Sequence, residues 1–197
     1  MNKTWFSSDR HFGHAKIVEI CDRPYADLHE MEEDYISKHN AVIRDCDDYW
    51  DLGDVSYKCS AVYAMERIRR LKGRIHVVLG NHDKALRQAV KRGLADDLIE
   101  SGKLEIVGGK ESLDNSIISA KILNINGSRL ILSHYAYRTW PSAFRGTIHL
   151  FGHSHGNLKP HYKSFDIGVD GNDGCPWELS EVLDWASKVK KDFGEGE

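Results

Sequence analysis

Residues 75–83 read IHVVLGNHD and join an apolar run to a polar turn. The run Ile75–Leu79 is nearly continuous and rich in β-branched residues, which is typical of a strand buried on both faces of a sheet. It ends at Gly80, and the next three residues are an asparagine, a histidine and an aspartate. The stretch therefore predicts a buried strand that delivers an amide, an imidazole and a carboxylate at its carboxyl end.

Predicted strands and helices alternate through the first half of the chain, as in α/β proteins. The predicted strands are Thr4–Ser8, Tyr49–Leu52, Ile75–Leu79 and Leu104–Val107. The predicted helices are Ala15–Cys21, Met31–Ile43, Ala61–Leu71 and Lys84–Lys91. Apolar spacings of three and four residues predict the buried faces of the second and third helices. These faces contain Met31, Tyr35, Ile36, His39, Val42 and Ile43 in one helix and Val62, Met65, Ile68 and Leu71 in the other.

The second half of the chain is richer in strands. The predicted elements are strands at Ile117–Ile125, Arg129–Ser133, Thr147–Phe151 and Phe165–Val169 and a helix at Glu178–Val189. Asn126-Gly127 lies between the first two of these strands and is a strong hairpin signal. Because the chain has no linker and no repeat, residues 1–197 are expected to form one domain of α/β layers, with a mixed sheet or two sheets.

The composition and charge of the chain argue against several classes of protein. The chain has 197 residues, 41% of them hydrophobic, and a formal net charge of -3, so it has no overall positive field for nucleic acid. A polyanion partner would need a local patch, and the candidate Arg67–Arg74 is interpreted as the solvated face of a helix. The chain lacks the apolar run of a signal peptide or membrane span, and its four cysteines lack CxxC spacing. A cytoplasmic protein with free thiols and no membrane partner is expected.

Polar residues follow five of the predicted strands. They are Asp9 and His11, Asp54, Asn81 and His82, His134, and His153 and His155. Each motif alone is weak, since acids and histidines are common in loops. Because sites in open α/β folds gather at the carboxyl ends of strands, the five loops together predict one site. Gly53, Gly80 and Gly152 are expected to let the backbone turn sharply just before these residues.

The residue types in this set favour a transition-metal site. Carboxylates, an amide oxygen and several imidazoles suit Mn, Fe, Zn, Ni or Co, whereas structural zinc sites use thiolates and calcium sites use only oxygen. The set is larger than one ion needs, and two ions that share a bridging carboxylate would use all of it. Two metals about 3.5–4 Å apart suit phosphate-ester hydrolysis, because they hold the attacking and leaving oxygens of an in-line displacement.

The ordered motifs resemble those of the calcineurin-like metallophosphoesterases. The matching motifs are Asp9-x-His11, Gly53-Asp54, Gly80-Asn81-His82-Asp83, His134 and Gly152-His153-x-His155. The local forms SDRHFGH and Asp166-Ile-Gly-Val-Asp170 resemble a compact bacterial and phage-type branch of predicted phosphoesterases. The resemblance implies a layered α/β/β/α sandwich in which two mainly mixed β-sheets are flanked by helices.

The resemblance also implies a role for each motif residue. One divalent ion would be bound by Asp9, His11 and His155, the other by Asn81, His134 and His153, with Asp54 as the bridge. A hydroxide between the ions would attack phosphorus. His82 would not be a ligand but would face the substrate, where it stabilises phosphoryl charge or protonates the leaving oxygen. Asp83 would orient His82 or cap the next helix.

Residues outside the shared motifs leave alternatives open. His14 lines the phosphate site, donates a hydrogen bond from behind the ligands, or only starts the first helix. Arg23 is a candidate substrate contact, since arginine binds phosphate in a bidentate manner. Arg138 is a third candidate, because the aromatic loop around it either stacks a base or sugar or covers the edge of a sheet.

Three charged residues near the motifs have expected structural roles. Arg10 lies between two predicted ligands and is expected in a surface or inter-element salt bridge. Asp166 and Asp170 are expected at the rim of the site, where one would bond the free nitrogen of a ligand histidine.

The resulting functional prediction is a dinuclear metal-dependent phosphoesterase, with manganese as the favoured ion and Fe, Ni, Zn or Co as alternatives. The chain leaves no room for a large cap domain, so a shallow, accessible site is expected, which favours a phosphodiester or nucleotide substrate over a deeply enclosed small monoester. One alternative is a nuclease that acts on nucleic-acid ends. Another is a non-catalytic scaffold with the same fold, which should have lost ligands or His82. A plain metal-binding regulator would not need His82 beside Asn81.

Overall fold

The computed structural model describes residues 2–114 and 119–189. Its strands are β1 (Thr4–Ser7), β2 (Asp48–Asp51), β3 (Arg74–Val77), β4 (Leu104–Ile106), β5 (Ala120–Ile125), β6 (Ser128–Ser133), β7 (Ile148–Phe151), β8 (Ser164–Asp166) and β9 (Trp177–Glu178). Its helices are α1 (Ile17–Ile20), α2 (Leu28–Val42), α3 (Ala61–Arg69), α4 (Lys84–Lys91), α5 (Asp96–Glu100) and α6 (Leu179–Lys188). Short 3₁₀ turns lie at Gly109–Leu113, Ala143–Arg145 and Val169–Gly171.

The strands form two mixed sheets. In the first sheet the order is β4-β3-β2-β1-β9, in which β1 to β4 are parallel and β9 is antiparallel to β1. In the second sheet the order is β5-β6-β7-β8, in which β5 is antiparallel and the other strands are parallel. The predicted α/β class with two mixed sheets flanked by helices is thereby confirmed.

Each face of the first sheet packs against a different layer. Because side chains alternate along a strand, Trp5 and its neighbour Phe6 lie in separate hydrophobic clusters. One cluster joins the first sheet to the helices and includes Trp5, Tyr49, Ile75, Met31, Tyr35, Met65, Ile68 and Leu86. The other lies between the sheets and includes Phe6, Trp50, Val78, Leu130, Leu132 and Leu150, with Leu179 and Val182 from α6. The predicted strand Ile75–Leu79 is thus covered on both faces, as expected.

Side-chain caps fix where several helices begin. The Asp27 carboxylate accepts the Glu30 N–H at 2.9 Å, so α2 begins three residues before the predicted start. The Ser60 hydroxyl accepts the Tyr63 N–H at 3.1 Å and caps α3. Glu178 forms a capping box with Glu181 at the start of α6.

Two residues of the predicted buried faces are exposed instead. Val42 is 40% exposed at the last position of α2, and Val62 is 52% exposed. In α3 the small residues Ala61 and Ala64 are buried with Met65. They let the helix pack closely on its neighbours, so its buried face is rotated away from Val62.

The remaining predictions differ mainly at element boundaries. The hairpin around Asn126-Gly127 is confirmed, and both residues have the positive φ of a tight turn. The predicted start of its first strand, at residues 117 and 118, lies outside the described residues. The two-residue strand β9 and the short helix α5 were not predicted, since neither is long enough to show a period. Within the described part of the chain, no helix is long and apolar enough to cross a membrane.

Candidate metal centre

The loops that follow strands of both sheets meet at one place. After β1, the Asp9 N–H donates to the Gly53 carbonyl at 3.0 Å, which joins the loops after β1 and β2. The Val169 N–H donates to the Ser8 carbonyl at 3.1 Å and joins the second sheet to the end of β1. The predicted polar residues are brought together at these carboxyl ends.

A first group of predicted ligands consists of Asp9, His11 and His155, whose ligand atoms lie within 4.8 Å of one another. Asp9 Oδ2 accepts the His153 N–H at 2.8 Å. Asp9 Oδ1 and both ring nitrogens of His11 are buried and have no hydrogen-bond partner among the described residues. Buried polar atoms without a partner are costly, and a cation would satisfy Asp9 Oδ1 and one nitrogen of His11.

A second group contains Asp54, His134 and His153, again with ligand atoms within 4.8 Å. Asn81 belongs to it, because its Oδ1 lies 2.9 Å from His134 Nε2. His134 Nδ1 lies 2.9 Å from the Leu52 carbonyl, so Nδ1 carries a proton. In the neutral ring Nε2 then has a lone pair that points toward the side-chain oxygens of Asn81 and Asp54. Acceptor atoms that face one another in this way are typical of ligands around a cation.

Asp54 lies between the two groups. Its Oδ2 is 3.6 Å from His11 Nε2 and 3.5 Å from His134 Nε2. Its Oδ1 accepts the His82 N–H at 2.8 Å, which fixes the orientation of the carboxylate. One oxygen of Asp54 is therefore shared by both groups, as expected of the predicted bridge.

The backbone at these positions is unusual. Asp9, His11, Asp54, His153 and His155 have φ of 60°, 56°, 53°, 66° and 49°, in the left-handed region that non-glycine residues rarely adopt. Such conformations cluster at functional sites, where the surrounding structure holds them. The shared conformation directs the ligand side chains inward without further glycines.

The three glycines of the motifs, Gly53, Gly80 and Gly152, have different roles. Only Gly53 has a positive φ, at 98°. At Gly80 a Cβ atom would collide with the Asp54 carboxylate, and at Gly152 it would collide with Ser8 and Asp9. The freedom of glycine to adopt a positive φ is therefore used at Gly53, whereas Gly80 and Gly152 allow the backbone to approach the Asp54 and Asp9 side chains closely.

Asp170 and Arg23 support the first group from behind. The Asp170 carboxylate lies 2.8 Å from His155 Nδ1, so the predicted bond to a histidine of the candidate ligand set is confirmed. Arg23 donates two hydrogen bonds to Asp170 and one each to the carbonyls of Asp9 and Arg10. Its remaining N–H faces the sulfur of Met31.

The predicted substrate contact of Arg23 is therefore corrected. The side chain is buried, with 6% of the residue exposed, and all five guanidinium N–H groups have acceptors in the protein. No donor is left for a phosphate. Arg23 instead holds Asp170 and the backbone around Asp9 in place.

The prediction for Asp83 is also corrected. Its carboxylate is fully buried and accepts the N–H groups of Gly80, Asp54, Val55 and Ser56 at 2.8 to 3.3 Å. It makes no side-chain cap of α4. Asp83 is thus the N-cap residue of α4 by position, but its carboxylate neither caps the helix nor bonds the ring of His82. It instead joins the two loops that carry Asp54 and Asn81.

Asp166 organises the loop of the last two predicted ligands. Its carboxylate accepts the N–H groups of Gly156 at 3.0 Å and Gly168 at 2.8 Å, and it also accepts the Ser154 hydroxyl. Because Ser154 lies between His153 and His155, Asp166 shapes the rim of the site, as expected.

Burial shifts the pKa values of the ligands in opposite directions. It raises the pKa of Asp9 to about 7 and lowers the pKa of His11 to about 3. Burial also opposes a charge on His134, but the hydrogen bond and charge of Asp54 outweigh it and raise the His134 pKa to about 9. Metal binding needs a neutral imidazole, which is the form that burial favours at His11.

Three rings form a wall beside the first group. The His82 ring is partly exposed and lies 5.7 Å from the His11 ring, between centroids. His14 is also brought to this wall, with its ring 5.5 Å from that of His11. Tyr57 lies 3.9 Å from the His14 ring and 4.6 Å from the His82 ring. Tyr57 was missed because it belongs to no motif and reaches the site only through the fold.

Arg138 is not brought to the centre. It is exposed and lines a separate cavity of about 350 Å³ with Tyr137, Phe151 and His161. Trp140 packs under the same loop in a cluster with Ile131 on the second sheet. The prediction of a substrate contact for Arg138 is therefore corrected in favour of the aromatic cluster that covers the sheet.

Tyr135 differs from the rest of that aromatic loop. Its hydroxyl donates to Asn81 Oδ1 at 3.2 Å, and its ring lies 4.7 Å from that of His153. It therefore lies beside the second group.

The other basic residues singled out in the sequence are paired within the protein. Arg10 is buried against Asp51, at 3.3 Å, and His39, at 2.8 Å, so the expected inter-element salt bridge is confirmed. In the segment 67–74, Arg67, Arg69, Arg70 and Arg74 pair with Glu32, Asp97, Glu33 and Asp48. This segment is a solvated, charge-paired face, as interpreted.

No protein-family model matches the chain. The chain is 37% identical to the Gene 66 protein of Mycobacterium phage L5 over an alignment of 218 positions, gaps included, which covers 98% of this chain and 99% of the phage protein. The chain belongs to the family of this phage protein. It is also 28% identical to the uncharacterized protein MJ1445 of Methanocaldococcus jannaschii, over 96% of this chain and 94% of that protein.

One solved structure has the same fold as this chain. It is the crystal structure of the protein of unknown function AQ665 from Aquifex aeolicus, with a TM-score of 0.65 and 21% sequence identity. The match covers 94% of this chain and 100% of the Aquifex chain. The two proteins therefore have a common architecture along nearly their whole length.

Proposed function

We propose that the protein is a dinuclear metal-dependent phosphoesterase of the calcineurin-like metallophosphoesterase type. The observation that carries the proposal is the shared oxygen of Asp54, which lies 3.6 Å from His11 Nε2 and 3.5 Å from His134 Nε2. A carboxylate oxygen between two groups of nitrogen and oxygen ligands suits a pair of first-row ions.

The residues present fit two divalent ions. One would be held by Asp9, His11 and His155 and the other by Asn81, His134 and His153, with Asp54 between them. Manganese is the favoured ion, and Fe, Ni, Zn or Co are alternatives. When bound, such ions supply Lewis acidity to a phosphate ester and lower the pKa of water.

The chain itself positions these ligands and excludes alternative orientations. Asp170 bonds one nitrogen of His155, and the Leu52 carbonyl bonds one nitrogen of His134. Each imidazole is thereby left with its other nitrogen for the ion. The backbone N–H of His153 holds Asp9 in the same way.

His82 would act on the substrate. Its backbone N–H is held by Asp54, and its partly exposed ring lies beside His11 and Tyr57 without belonging to either ligand group. From there an imidazole can donate a hydrogen bond to a phosphoryl oxygen or protonate the leaving oxygen. A scaffold without catalysis would not need this residue.

A phosphodiester or nucleotide is the proposed substrate class, since the described part of the chain has no cap domain over the ligands. We also propose that the enzyme acts in the cytoplasm, where Cys21, Cys46, Cys59 and Cys175 would remain free thiols.

The test is hydrolysis of bis-p-nitrophenyl phosphate and p-nitrophenyl phosphate with Mn(II), Ni(II), Zn(II) or EDTA. We expect turnover that depends on metal and falls at least about 100-fold in Asp54→Asn, because loss of a partner behind a ligand already costs about 10- to 100-fold and loss of the bridge should cost more. Asp48→Asn, at the start of β2, is the matched control and keeps the activity. Folded, metal-loaded protein without turnover would contradict the proposal.

A further inference from the structure

A groove with basic walls adjoins the candidate metal centre on the side of Asn81. It is a cavity of about 770 Å³, and Asn81 is part of its lining. Lys84, Arg87 and Lys91 line it from α4, and Lys110 lines it from the 3₁₀ turn after β4. The groove therefore joins the second ligand group to a set of cations.

Helix geometry explains why α4 presents these cations together. Lys84, Arg87, Gln88 and Lys91 are spaced by three and four residues and therefore lie on one face. The opposite face is buried through Ala85, Leu86 and Ala89. The start of the helix follows directly after Asn81, His82 and Asp83, so the basic face begins at the metal centre.

These lysines are not neutralised by the protein, in contrast to the paired segment 67–74. Lys84, Lys91 and Lys110 are exposed, and their side chains form no ion pair with another residue in the ranges 2–114 and 119–189. Among the residues that line the cavity, the three lysines and Arg87 outnumber one acid, Asp114, and such an excess of positive charge attracts ligands of the opposite sign. The groove is therefore an electropositive patch on a chain whose net charge is -3.

Arg87 gives an independent indication of an anion. Only 6% of the residue is exposed, and its Nη1 donates to the Gly80 carbonyl at 2.8 Å. Its Nε is buried and has no hydrogen-bond partner among the described residues, nor does it pair with a carboxylate there. A buried guanidinium without an anion is costly. An anion in the groove would compensate this charge.

The groove adjoins a second cavity at the end farther from Asn81. Lys91 and Lys110 also line a second cavity, of about 950 Å³, whose other walls include Val90 and Ile106 and the acids Asp96 and Glu105. A ligand anchored at the metal centre thus has room to extend as far as Lys91 and Lys110, where the basic face ends.

We propose that this groove binds a second phosphate group of the substrate, so that the preferred substrates are phosphate esters carrying at least one further phosphate. The inference rests on the proposed phosphoesterase function. The two ligand groups and His82 serve the reacting phosphate, whereas the lysines and Arg87 provide charged donors for another one. The second phosphate belongs to a small molecule, such as a nucleoside bisphosphate, or to the next position of a nucleic-acid end.

The first test measures binding and does not need turnover. Thymidine 3′,5′-bisphosphate and thymidine 5′-monophosphate are titrated into Mn(II)-loaded protein by calorimetry. We expect the bisphosphate to bind about tenfold or more tightly, the difference that one charged hydrogen bond contributes. In the double variant Lys84→Gln/Lys110→Gln the ratio of the two Kd values should approach one, whereas Lys159→Gln, in the loop between β7 and β8, should keep it. Equal affinities in the wild type, or an unchanged ratio in the double variant, would overturn the proposal.

The second test measures turnover with a matched pair of substrates. Thymidine 5′-(p-nitrophenyl phosphate) is compared with the same ester bearing a 3′-phosphate, and the ratio of their kcat/KM values should fall toward one in the double variant. If neither ester is hydrolysed by the wild type, the phosphoesterase function fails, while the Kd ratio still decides whether the groove binds phosphate. Thymidine oligonucleotides distinguish a small-molecule substrate from a nucleic-acid end. Affinity that keeps rising with oligonucleotide length, together with a steeper salt dependence, identifies nucleic-acid ends. Affinity that no longer rises beyond two phosphates identifies a small molecule.

Discussion

His11 and His149 are both buried histidines, but their surroundings differ. His11 is 2% exposed and His149 is fully buried. The nitrogens of His149 each lie 2.8 Å from a hydroxyl, of Ser133 or Ser164, and its ring stacks on Tyr137. The nitrogens of His11 have no partner among the described residues. Burial alone therefore does not indicate a functional histidine, whereas the partnerless nitrogens of His11 need an explanation, which a bound ion would provide.

The difference in hydrogen-bond partners indicates a structural role for His149 and a ligand-binding role for His11. The protein completes the hydrogen bonds of His149 by itself, so this residue contributes to the second sheet whether or not a ligand is bound. At His11 an ion from solution would complete the arrangement. Substitutions at the two positions should therefore change different quantities.

The largest effect is expected for His11→Phe. The affinity for Mn(II) should fall at least about 100-fold, because removal of a ligand exceeds the loss of a partner behind it. The free energy of unfolding of the metal-free protein should change by less than about 1 kcal/mol, since no hydrogen bond is lost. Calorimetric titration and urea unfolding in EDTA measure the two quantities. Unchanged Mn(II) affinity would remove His11 from the centre.

A smaller loss of Mn(II) affinity is expected for Asp170→Asn. Asparagine keeps the shape of the side chain but weakens the hold on His155 and leaves the charge of Arg23 unpaired. Loss of such a partner typically lowers metal affinity about 10- to 100-fold. The neighbouring exposed acid offers a control, and Asp173→Asn should bind Mn(II) as the wild type does. Equal affinities in both variants would show that Asp170 does not position the ligand.

His149→Phe should have the converse effect of His11→Phe. The hydroxyls of Ser133 and Ser164 lose their partner, which should lower the free energy of unfolding by about 1–3 kcal/mol. The increase in Tm on addition of Mn(II) should be the same as in the wild type, because the ligands are unchanged. A loss of that increase would show that the two regions are not independent.

The same histidine predicts a modest sensitivity to acid. Burial lowers the pKa of the folded His149 imidazole to about 4, whereas the unfolded chain has the ordinary value of 6.5. The unfolded state therefore takes up a proton first as the pH falls, so stability decreases between pH 6.5 and pH 4. Urea unfolding in EDTA at pH 7.5 and pH 5 should show a larger loss in the wild type than in His149→Phe. The exposed control His29→Phe should lose as much as the wild type.

The clustering of the candidate ligands could be predicted from the sequence because their positions follow strand ends. The run Ile75–Leu79 marks a buried strand, and the polar residues after it must lie at its carboxyl end. Apart from the bond between Asp170 and a histidine of the set, the contacts behind the candidate ligands could not be predicted. Arg23 meets Asp170 across 147 positions of the chain, and Asp83 bonds backbone N–H groups 27 to 29 positions away. Local patterns carry no information about such pairs.

The same distinction between local patterns and long-range contacts applies to the fold. Helices and strands with a clear period were predicted, whereas β9 has two residues and depends on pairing with β1. The basic groove was also missed, because Lys84 and Lys91 look like ordinary helix residues until Lys110 is brought beside them. What the sequence leaves out is mainly the proximity of distant segments.

The most direct test of the account is the stoichiometry and magnetic coupling of bound manganese, measured by electron paramagnetic resonance during titration of the folded protein. If Asp54 bridges two sites, the protein should bind two Mn(II) ions per chain and give an exchange-coupled spectrum, which Asp54→Asn should abolish. A single ion per chain, two uncoupled ions, or no binding would contradict a dinuclear centre.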